Sequence, residues 1–303
     1  MSKILATVSH INGIREMDEG GVDLFRINMS HQPLTSLDIL IKAIQEQTKK
    51  ALCIDTEGSQ MRTGELEGSD VYLYTTGTYV KMVLESAHYG EIPLPQAVID
   101  QVKPGDTIDD FKVTGEGFLL TQKGTQVKQN TPITCSRKII APPFTVKDRK
   151  AVKIGQELKV NHYALSFARN AEEVWEFRKL IFHEHILISK IETEEGVQNL
   201  KEIDKASDAL LIDRGDLSKQ VDLKELPKIQ EYIIRTAKKP VYVATNFLES
   251  MCEKNIPSIA EVNDVAATLK MGAAGLVLAA ETAIGKHPVE TVGFVKELIE
   301  RYG

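Results

Sequence analysis

Ile186-Leu187-Ile188-Ser189-Lys190-Ile191-Glu192 is a β-branched run that carries a lysine and a carboxylate two residues apart. On a strand that spacing points both side chains to one face, so they emerge together where the strand ends. A second carboxylate follows 24 residues after Glu192 in Arg214-Gly215-Asp216, a Gly-bearing loop just past the next apolar run. One fixed cation and two carboxylates at adjacent strand ends make a pocket for a divalent ion and an anionic substrate, the parts that phosphoryl or enolate chemistry needs.

Working outward, seven more short runs read as strands: Lys3 to Val8, Val22 to Asn28, Ala51 to Asp55, His162 to Phe167, Ala209 to Asp213, Pro240 to Thr245 and Gly275 to Ala279. Between most of them lie stretches with apolar residues at helical spacing, namely Leu34 to Lys49, Ala171 to Phe182, Gly196 to Ala206, Leu226 to Lys238 and Ile259 to Met271, with Pro288 to Tyr302 last. Strands alternating with helices imply βαβ units, and eight such units close a (β/α)8 TIM barrel of the α/β class.

The pattern breaks once. Between Gly64 and about Ile139 the helical period gives way to short alternating runs, Val71 to Tyr74, Tyr79 to Val83, Gly117 to Thr121 and Thr131 to Cys135, among turn residues such as Pro104-Gly105-Asp106. This predicts a small all-β domain, 65–139, inserted after the third strand of a barrel built from 1–64 and 140–303. Such a cap is expected to hang over the carboxyl ends of the strands, where barrel active sites lie.

Bulk properties agree with one large folded chain. At 303 residues and 42% hydrophobic the chain buries a sizeable core. A net charge of −6, with no run of five Lys/Arg, excludes the electrostatic footprint of a nucleic-acid binder. Cys53, Cys135 and Cys252 are odd in number and far apart, which argues against a disulfide framework or a structural zinc. No eighteen-residue apolar stretch and no basic-then-apolar leader precede the first strand, so the expected location is cytoplasmic, with no membrane partner.

The proposed strand ends carry Arg26, Asn28 and Ser30; Asp55 and Thr56; Ser166 and Arg169; Lys190 and Glu192; Asp216; Thr245; and Glu281. That set holds three cations, four carboxylates and several hydroxyls, an inventory for a metal and a multiply charged anion.

The order and spacing of Arg26-Ile27-Asn28-Met29-Ser30-His31, Asp55-Thr56-Glu57-Gly58 with Arg62-Thr63-Gly64, Ser189-Lys190-Ile191-Glu192, Arg214-Gly215-Asp216-Leu217 and Glu281-Thr282-Ala283 with Pro288-Val289-Glu290 resemble the pyruvate kinase family. The resemblance runs along nearly the whole chain. It implies a barrel with a β-rich cap and no C-terminal regulatory domain. It further implies Glu192 and Asp216 as ligands of Mg2+ (or Mn2+), and Asn28, Ser30, Asp55 and Thr56 as ligands of K+. By the same carry-over Lys190 and Arg26 act on the phosphoryl group with Arg62, Gly215 and Asp216 help bind the substrate, and Thr245 sits near the methylene carbon of the enolate. His31 and Arg62 are the nucleotide-side candidates, and a homodimer through the barrel helices is the implied assembly.

Each residue also has a plainer reading. Lys190 and Glu192 alone read as a strand-end salt bridge, Asp55 as a helix N-cap, Asn28 and Ser30 as turn formers, and His31 as a loop-packing residue. The ordered motifs with Asp216 favour the site.

Departures from the family cluster on the nucleotide side. Glu57-Gly58-Ser59-Gln60 stands where the family has Lys-Gly-Pro-Glu, Ser9-His10 replaces a Gly-Pro turn, and Asn246-Phe247 replaces Gln-Met. Ala279-Ala280 takes the place of Ser-Gly, Asp213 that of a small apolar residue, and Ile259 that of an arginine. The expectation is a Mg2+- and K+-dependent phosphotransferase acting on phosphoenolpyruvate, passing its phosphoryl group to a nucleoside diphosphate such as ADP to give pyruvate. Two alternatives stand beside it: a Mg2+-dependent 2-oxo acid lyase or aldolase, and a non-catalytic sensor of phosphoenolpyruvate.

Overall fold

Eight strands close into a parallel barrel in chain order: β1 (Lys3–Thr7), β2 (Leu24–Asn28), β3 (Ala51–Asp55), β4 (His162–Leu165), β5 (Ile186–Ile191), β6 (Ala209–Asp213), β7 (Val241–Ala244) and β8 (Gly275–Leu278). The computed structural model describes residues 2–84, 86–115 and 117–303. They form two units, one running to Gly58 and resuming over Pro143–Gly303, the other Ser59–Pro142.

Strand periodicity builds the barrel in two layers. Outward-facing Phe25, Ile27, Ile54, Tyr163, Leu210, Ile212 and Leu276 pack against helix residues such as Ile41, Ile44, Phe177 and Val295 in one continuous core. Inward-facing Leu5, Leu24, Cys53, Ala164, Ile188, Leu211 and Val277 form a separate apolar plug inside the strands. Leu5 stands in register with Leu24 on one side and Val277 on the other, which closes the ring. Two residues beyond the plug, on the same inward faces, come Thr7, Arg26, Asp55, Ser166, Lys190 and Asp213, all buried. The floor of the site is therefore oil and its next layer is charge.

The helices are α1 (Ile14–Gly20), α2 (Leu34–Gln47), α3 (Val146–Glu157), α4 (Ala171–Ile181), α5 (Leu200–Ala206), α6 (Leu226–Thr236), α7 (Ile259–Lys270) and α8 (Pro288–Tyr302). Their starts are chemically marked: Thr145 with Asp148 and Ser258 with Glu261 form capping boxes, and Asn170 caps α4. Each such cap is worth about 1 kcal/mol. The helix expected over Gly196 to Ala206 is broken into Glu194–Gln198 and α5 at Asn199, whose side-chain amide donates to Arg169 O at 2.8 Å. Thr282 Oγ1 donates to Thr7 O at 2.8 Å and so ties the turn after β8 back to β1.

The inserted unit holds a five-stranded sheet in the order Glu91–Pro93, Tyr79–Val83, Phe118–Thr121, Phe111–Gly115, Thr107–Ile108, with Val71–Tyr74 pairing Thr125–Lys128 beside it. Its own core includes Tyr72, Tyr74, Val80, Ile92, Phe111 and Leu119. One sequence expectation is corrected here. Thr131 to Cys135 is not a strand but makes single bridges at Pro132 and Cys135, since proline gives a ladder no N–H. The β unit expected from sequence also carries one short helix, Gln96–Gln101, behind Pro95.

Candidate active site

Arg26 reaches across from β2 to β3 and donates through Nε to Asp55 Oδ2 at 2.7 Å, through Nη2 to the same oxygen, and through Nη1 to Thr7 Oγ1 at 2.7 Å. Asp55 Oδ1 accepts from Ser166 Oγ at 3.0 Å. Burial opposes ionisation of Asp55, but Arg26 and Lys190 overcome it and hold the carboxyl below its ordinary range. Lys190 is only 4% exposed, and its ammonium lies 2.8 Å from Glu192 Oε1, 3.2 Å from Ser166 Oγ, 3.3 Å from Asp55 Oδ2 and 3.4 Å from Asp213 Oδ2. Burial pulls its pKa down, the three carboxylates push it up, and the carboxylates prevail. Lys190 is a permanent cation, not a base.

The carboxylates outnumber the cations. Buried Asp55, Glu192 and Asp213 face buried Arg26 and Lys190, three acids to two cations in a layer shielded from water. Glu192 shows the consequence: burial first, then the neighbouring acids, drive its pKa up to about 8 against the pull of Lys190. Glu192 Oε2 accepts the Phe167 N–H at 2.6 Å, and Phe167 takes a left-handed φ of 55° to deliver it. Glu192 Oε1, although 2.8 Å from Lys190 Nζ, accepts no hydrogen bond. The short contact is an ion pair whose directed bonds go elsewhere. Glu192, Asp213 and Asp216 each place a carboxylate oxygen within 4.8 Å of the others.

Asp216 sits in the short helix Arg214–Leu217 that opens directly at the end of β6. Arg214 anchors that turn, donating to Thr245 O from Nε at 3.0 Å and Nη2 at 2.6 Å, and to Asp264 from Nη1 at 2.8 and 2.9 Å. Thr245 has φ 70°, a conformation a β-branched residue rarely adopts. Its hydroxyl accepts the Gly215 N–H at 2.8 Å and lies 2.6 Å from Ala244 O and 3.2 Å from Asp213 Oδ1. The local strain is held by these ties, which bring Thr245, Gly215 and Asp213 into one knot.

On the opposite rim Asn28 and Asp55 are register partners on β2 and β3. Asn28 Oδ1 accepts the Ser30 N–H at 3.0 Å, and Thr56 Oγ1 donates to Ala164 O at 3.0 Å. The loop after β3 is pinned by Asp148, whose carboxylate accepts N–H groups from Glu57 at 2.8 Å, Gly58 at 3.1 Å and Thr145 at 2.8 Å. Gly58 has φ 67°, and a Cβ there would come 2.5 Å from Ser166 O, so only glycine fits. Glu57 does not leave a bare anion on the rim: Lys147 pairs with it at 2.7 Å and also donates to Met29 O at 2.5 Å.

Of the residues singled out from sequence, Arg26, Asp55 and Lys190 share one buried network with Glu192, and Thr245, Gly215 and Asp216 flank it. Asn28, Ser30 and Thr56 line the β2–β3 rim. His31 is exposed in the turn after β2. Arg62 belongs to the inserted unit, where its Nη1 donates to Asn130 O at 2.8 Å. Arg169, counted among the strand-end cations, turns to Glu173 of α4 at 2.7 Å. Ser166, one of the strand-end residues, and Asp213, a departure from the family, sit at inward positions two past Ala164 and Leu211. Asp148 was not singled out, although it is the fourth residue of a Thr-x-x-Asp capping box.

The chain matches the family model described as pyruvate kinase, barrel domain, over residues 2–292. A pyruvate kinase of Thermotoga maritima is 38% identical over 96% of this chain and 68% of its own length. One from Methylorubrum extorquens is 31% identical over 99% and 68%, and one from Aeropyrum pernix is 33% identical over 99% and 70%. The match over nearly the whole chain extends to relatives from bacteria and archaea alike, and the chain belongs to the pyruvate kinase family.

Proposed function

We propose that this protein transfers the phosphoryl group of phosphoenolpyruvate to a nucleoside diphosphate, leaving pyruvate, with a divalent cation and K+. The observation that carries the reading is the sharing of Lys190 among Asp55, Glu192 and Asp213 on the rim of a pyruvate kinase barrel. Divalent-metal and K+ dependence is a general property of the family. In this chain Glu192 and Asp216 are the proposed holders of Mg2+ or Mn2+, and the oxygen-only set of Asn28, Ser30, Asp55 and Thr56 the proposed holders of K+. Fit to a divalent ion is supported by the carboxylate oxygens of Glu192, Asp213 and Asp216, which lie within 4.8 Å of one another, and by Glu192 Oε1, which has no directed hydrogen bond. When bound, the divalent ion supplies charge neutralisation and Lewis-acid polarisation at the substrate's oxygens.

The residues then have separable tasks. Lys190 offers three N–H donors to four oxygens, most of them beyond 3 Å, so its contacts exchange readily for phosphoryl oxygens. Arg26, held in plane by Asp55 and Thr7, presents a fixed charge to the same group, and Arg62 is the proposed third cation. The phosphoryl group passes from the enol oxygen to the terminal phosphate oxygen of the nucleoside diphosphate, and the methylene carbon of the released enolpyruvate gains a proton from the Thr245 side. Gly215 and Asp216 are proposed to seat the substrate's carboxylate end. His31 and Arg62 are the proposed nucleotide contacts.

The lyase and sensor alternatives are not favoured, since the relatives carry the name pyruvate kinase and Arg26 and Lys190 meet in the charged layer. Among the described residues no helix is long and apolar enough to cross a membrane. A cytoplasmic location and a homodimer through the barrel helices complete the proposal. Its test is pyruvate formation from phosphoenolpyruvate with Mg2+ and K+, read by coupling to lactate dehydrogenase. Turnover that starts only when ADP or another nucleoside diphosphate is added is expected; consumption without nucleotide, or none with any nucleotide, would overturn it.

A further inference from the structure

We propose that Asp213 is a third carboxylate ligand of the divalent cation, so that this barrel takes up the ion before any phosphoenolpyruvate arrives. The proposal deepens the reading above and rests on its placement of the ion at Glu192 and Asp216. Asp213 ends β6 on the inward face, two residues beyond Leu211 of the apolar plug, and is 5% exposed. Its carboxylate oxygen lies with those of Glu192 and Asp216 in a group whose members are all within 4.8 Å, the spread that one hard cation draws together.

A plainer role for Asp213 is counter-ion to Lys190, and the distances argue against that as its whole purpose. Lys190 already has Glu192 at 2.8 Å and Asp55 at 3.3 Å, and Asp213 at 3.4 Å is the most distant of its carboxylates. Lys190 needs no third anion. Instead Asp213 adds a third acid to a layer with two cations, beside a buried Glu192 oxygen whose 2.8 Å contact with Lys190 is not directed as a hydrogen bond. Three carboxylate oxygens within 4.8 Å of one another, one of them without a directed bond, are the conditions under which a divalent oxygen-loving cation binds without help from substrate. Asp213 also sets a cost: one more negative charge faces an incoming anion, so metal is held more tightly and phosphoenolpyruvate more weakly than by two acids alone.

The test is Mn2+ binding to the full chain without phosphoenolpyruvate, followed by electron paramagnetic resonance of free Mn2+ and by calorimetry. Wild type, Asp213→Asn, Asp213→Ala and Glu192→Gln are compared, with thermal melts to establish folding; the near-isosteric Asp213→Asn serves if Asp213→Ala does not fold. Wild type is expected to bind one Mn2+ per chain and both Asp213 variants to bind it at least about tenfold more weakly, with a smaller Mn2+-induced rise in Tm. Equal affinity in wild type and the Asp213 variants, or no uptake by wild type, overturns the inference. ADP-dependent pyruvate formation by the same preparations separates the two readings. Turnover with Asp213-independent Mn2+ affinity sinks the third ligand and leaves the function, whereas Asp213-dependent Mn2+ binding in a protein that never turns over leaves the ligand and sinks the function.

Discussion

Lys190 near the end of β5 and Glu192 just beyond it stand 2.8 Å apart, yet the contact lacks the direction of a hydrogen bond. The ammonium is shared. Ser166 Oγ and Asp55 Oδ2 accept from the same ammonium at 3.2 and 3.3 Å, and Asp213 waits at 3.4 Å. An ammonium so divided is bound by charge more than by direction, which lets a phosphoryl group displace one partner without stranding the lysine.

Substituting Lys190→Met is therefore expected to do two things at once. Phosphoryl transfer falls by at least about a thousandfold, as removal of a fixed charge from a dry site does. Reading the strand alone suggests an intact fold, but three buried carboxylates lose their shared cation, and breaking such a cluster costs about 3–5 kcal/mol. Thermal melts with and without Mg2+ check this: the variant is expected to regain much of its lost Tm when the divalent ion supplies the missing charge. A Lys190→Met protein as stable as wild type without Mg2+ would contradict the buried cluster.

Asp148→Ala tests whether the loop after β3 depends on α3. The Asp148 carboxylate accepts three backbone N–H groups, from Thr145, Glu57 and Gly58, so its loss leaves three donors without their partner. A stability loss of about 2–4 kcal/mol is expected, together with a rise in the K+ concentration needed for half-maximal activity, because Asp55 and Thr56 immediately precede that loop. Asp148→Asn, which keeps an acceptor, is expected to lie between. Unchanged K+ dependence in a destabilised Asp148→Ala would confine the residue to folding.

The barrel and its charged layer were legible because both follow from a period of two. Leu24 and Arg26, Cys53 and Asp55, Ile188 and Lys190, and Leu211 and Asp213 are the same step repeated, apolar plug then polar rim. Distances between strand ends do not follow from that period, so Asp213 stood out in the sequence only as an odd residue beside Arg214-Gly215-Asp216. Arg169 misled for a related reason: it follows a strand end, but Glu173 one helical turn on captures it. Asp148 was illegible as a loop anchor because a capping box announces where a helix starts and says nothing of which distant N–H groups the same carboxylate collects.

Thr245 separates backbone strain from hydroxyl chemistry. Its φ of 70° costs a β-branched residue about 1–3 kcal/mol, and its hydroxyl holds the Gly215 N–H at 2.8 Å. Thr245→Ser is expected to keep activity within a few fold while gaining up to about 1 kcal/mol of stability. Thr245→Val keeps the branch and loses the hydroxyl, and is expected to lower kcat by about 10–100-fold with little change in KM for the nucleotide. Equal kcat for the Ser and Val variants would remove the hydroxyl from the mechanism.

Glu281 gives the pH dependence of stability. Burial raises its pKa to about 7 from an ordinary 4.5, with its carboxylate accepting the Ala279 N–H at 2.7 Å. The folded chain therefore holds a proton that the unfolded chain releases between those values. The contribution to stability is complete below pH 4.5 and is lost as pH rises through 7, on the order of 3 kcal/mol in all. Measured with saturating Mg2+, which keeps Glu192 ionised, the Tm of wild type is expected to fall between pH 5 and 8 by several degrees more than that of Glu281→Gln. The glutamine carries no proton to lose and still offers the Ala279 N–H an acceptor, so the two curves run together below 4.5, diverge between 4.5 and 7 and stay apart above; curves parallel across the whole range would mean that Glu281 is ionised in the fold throughout.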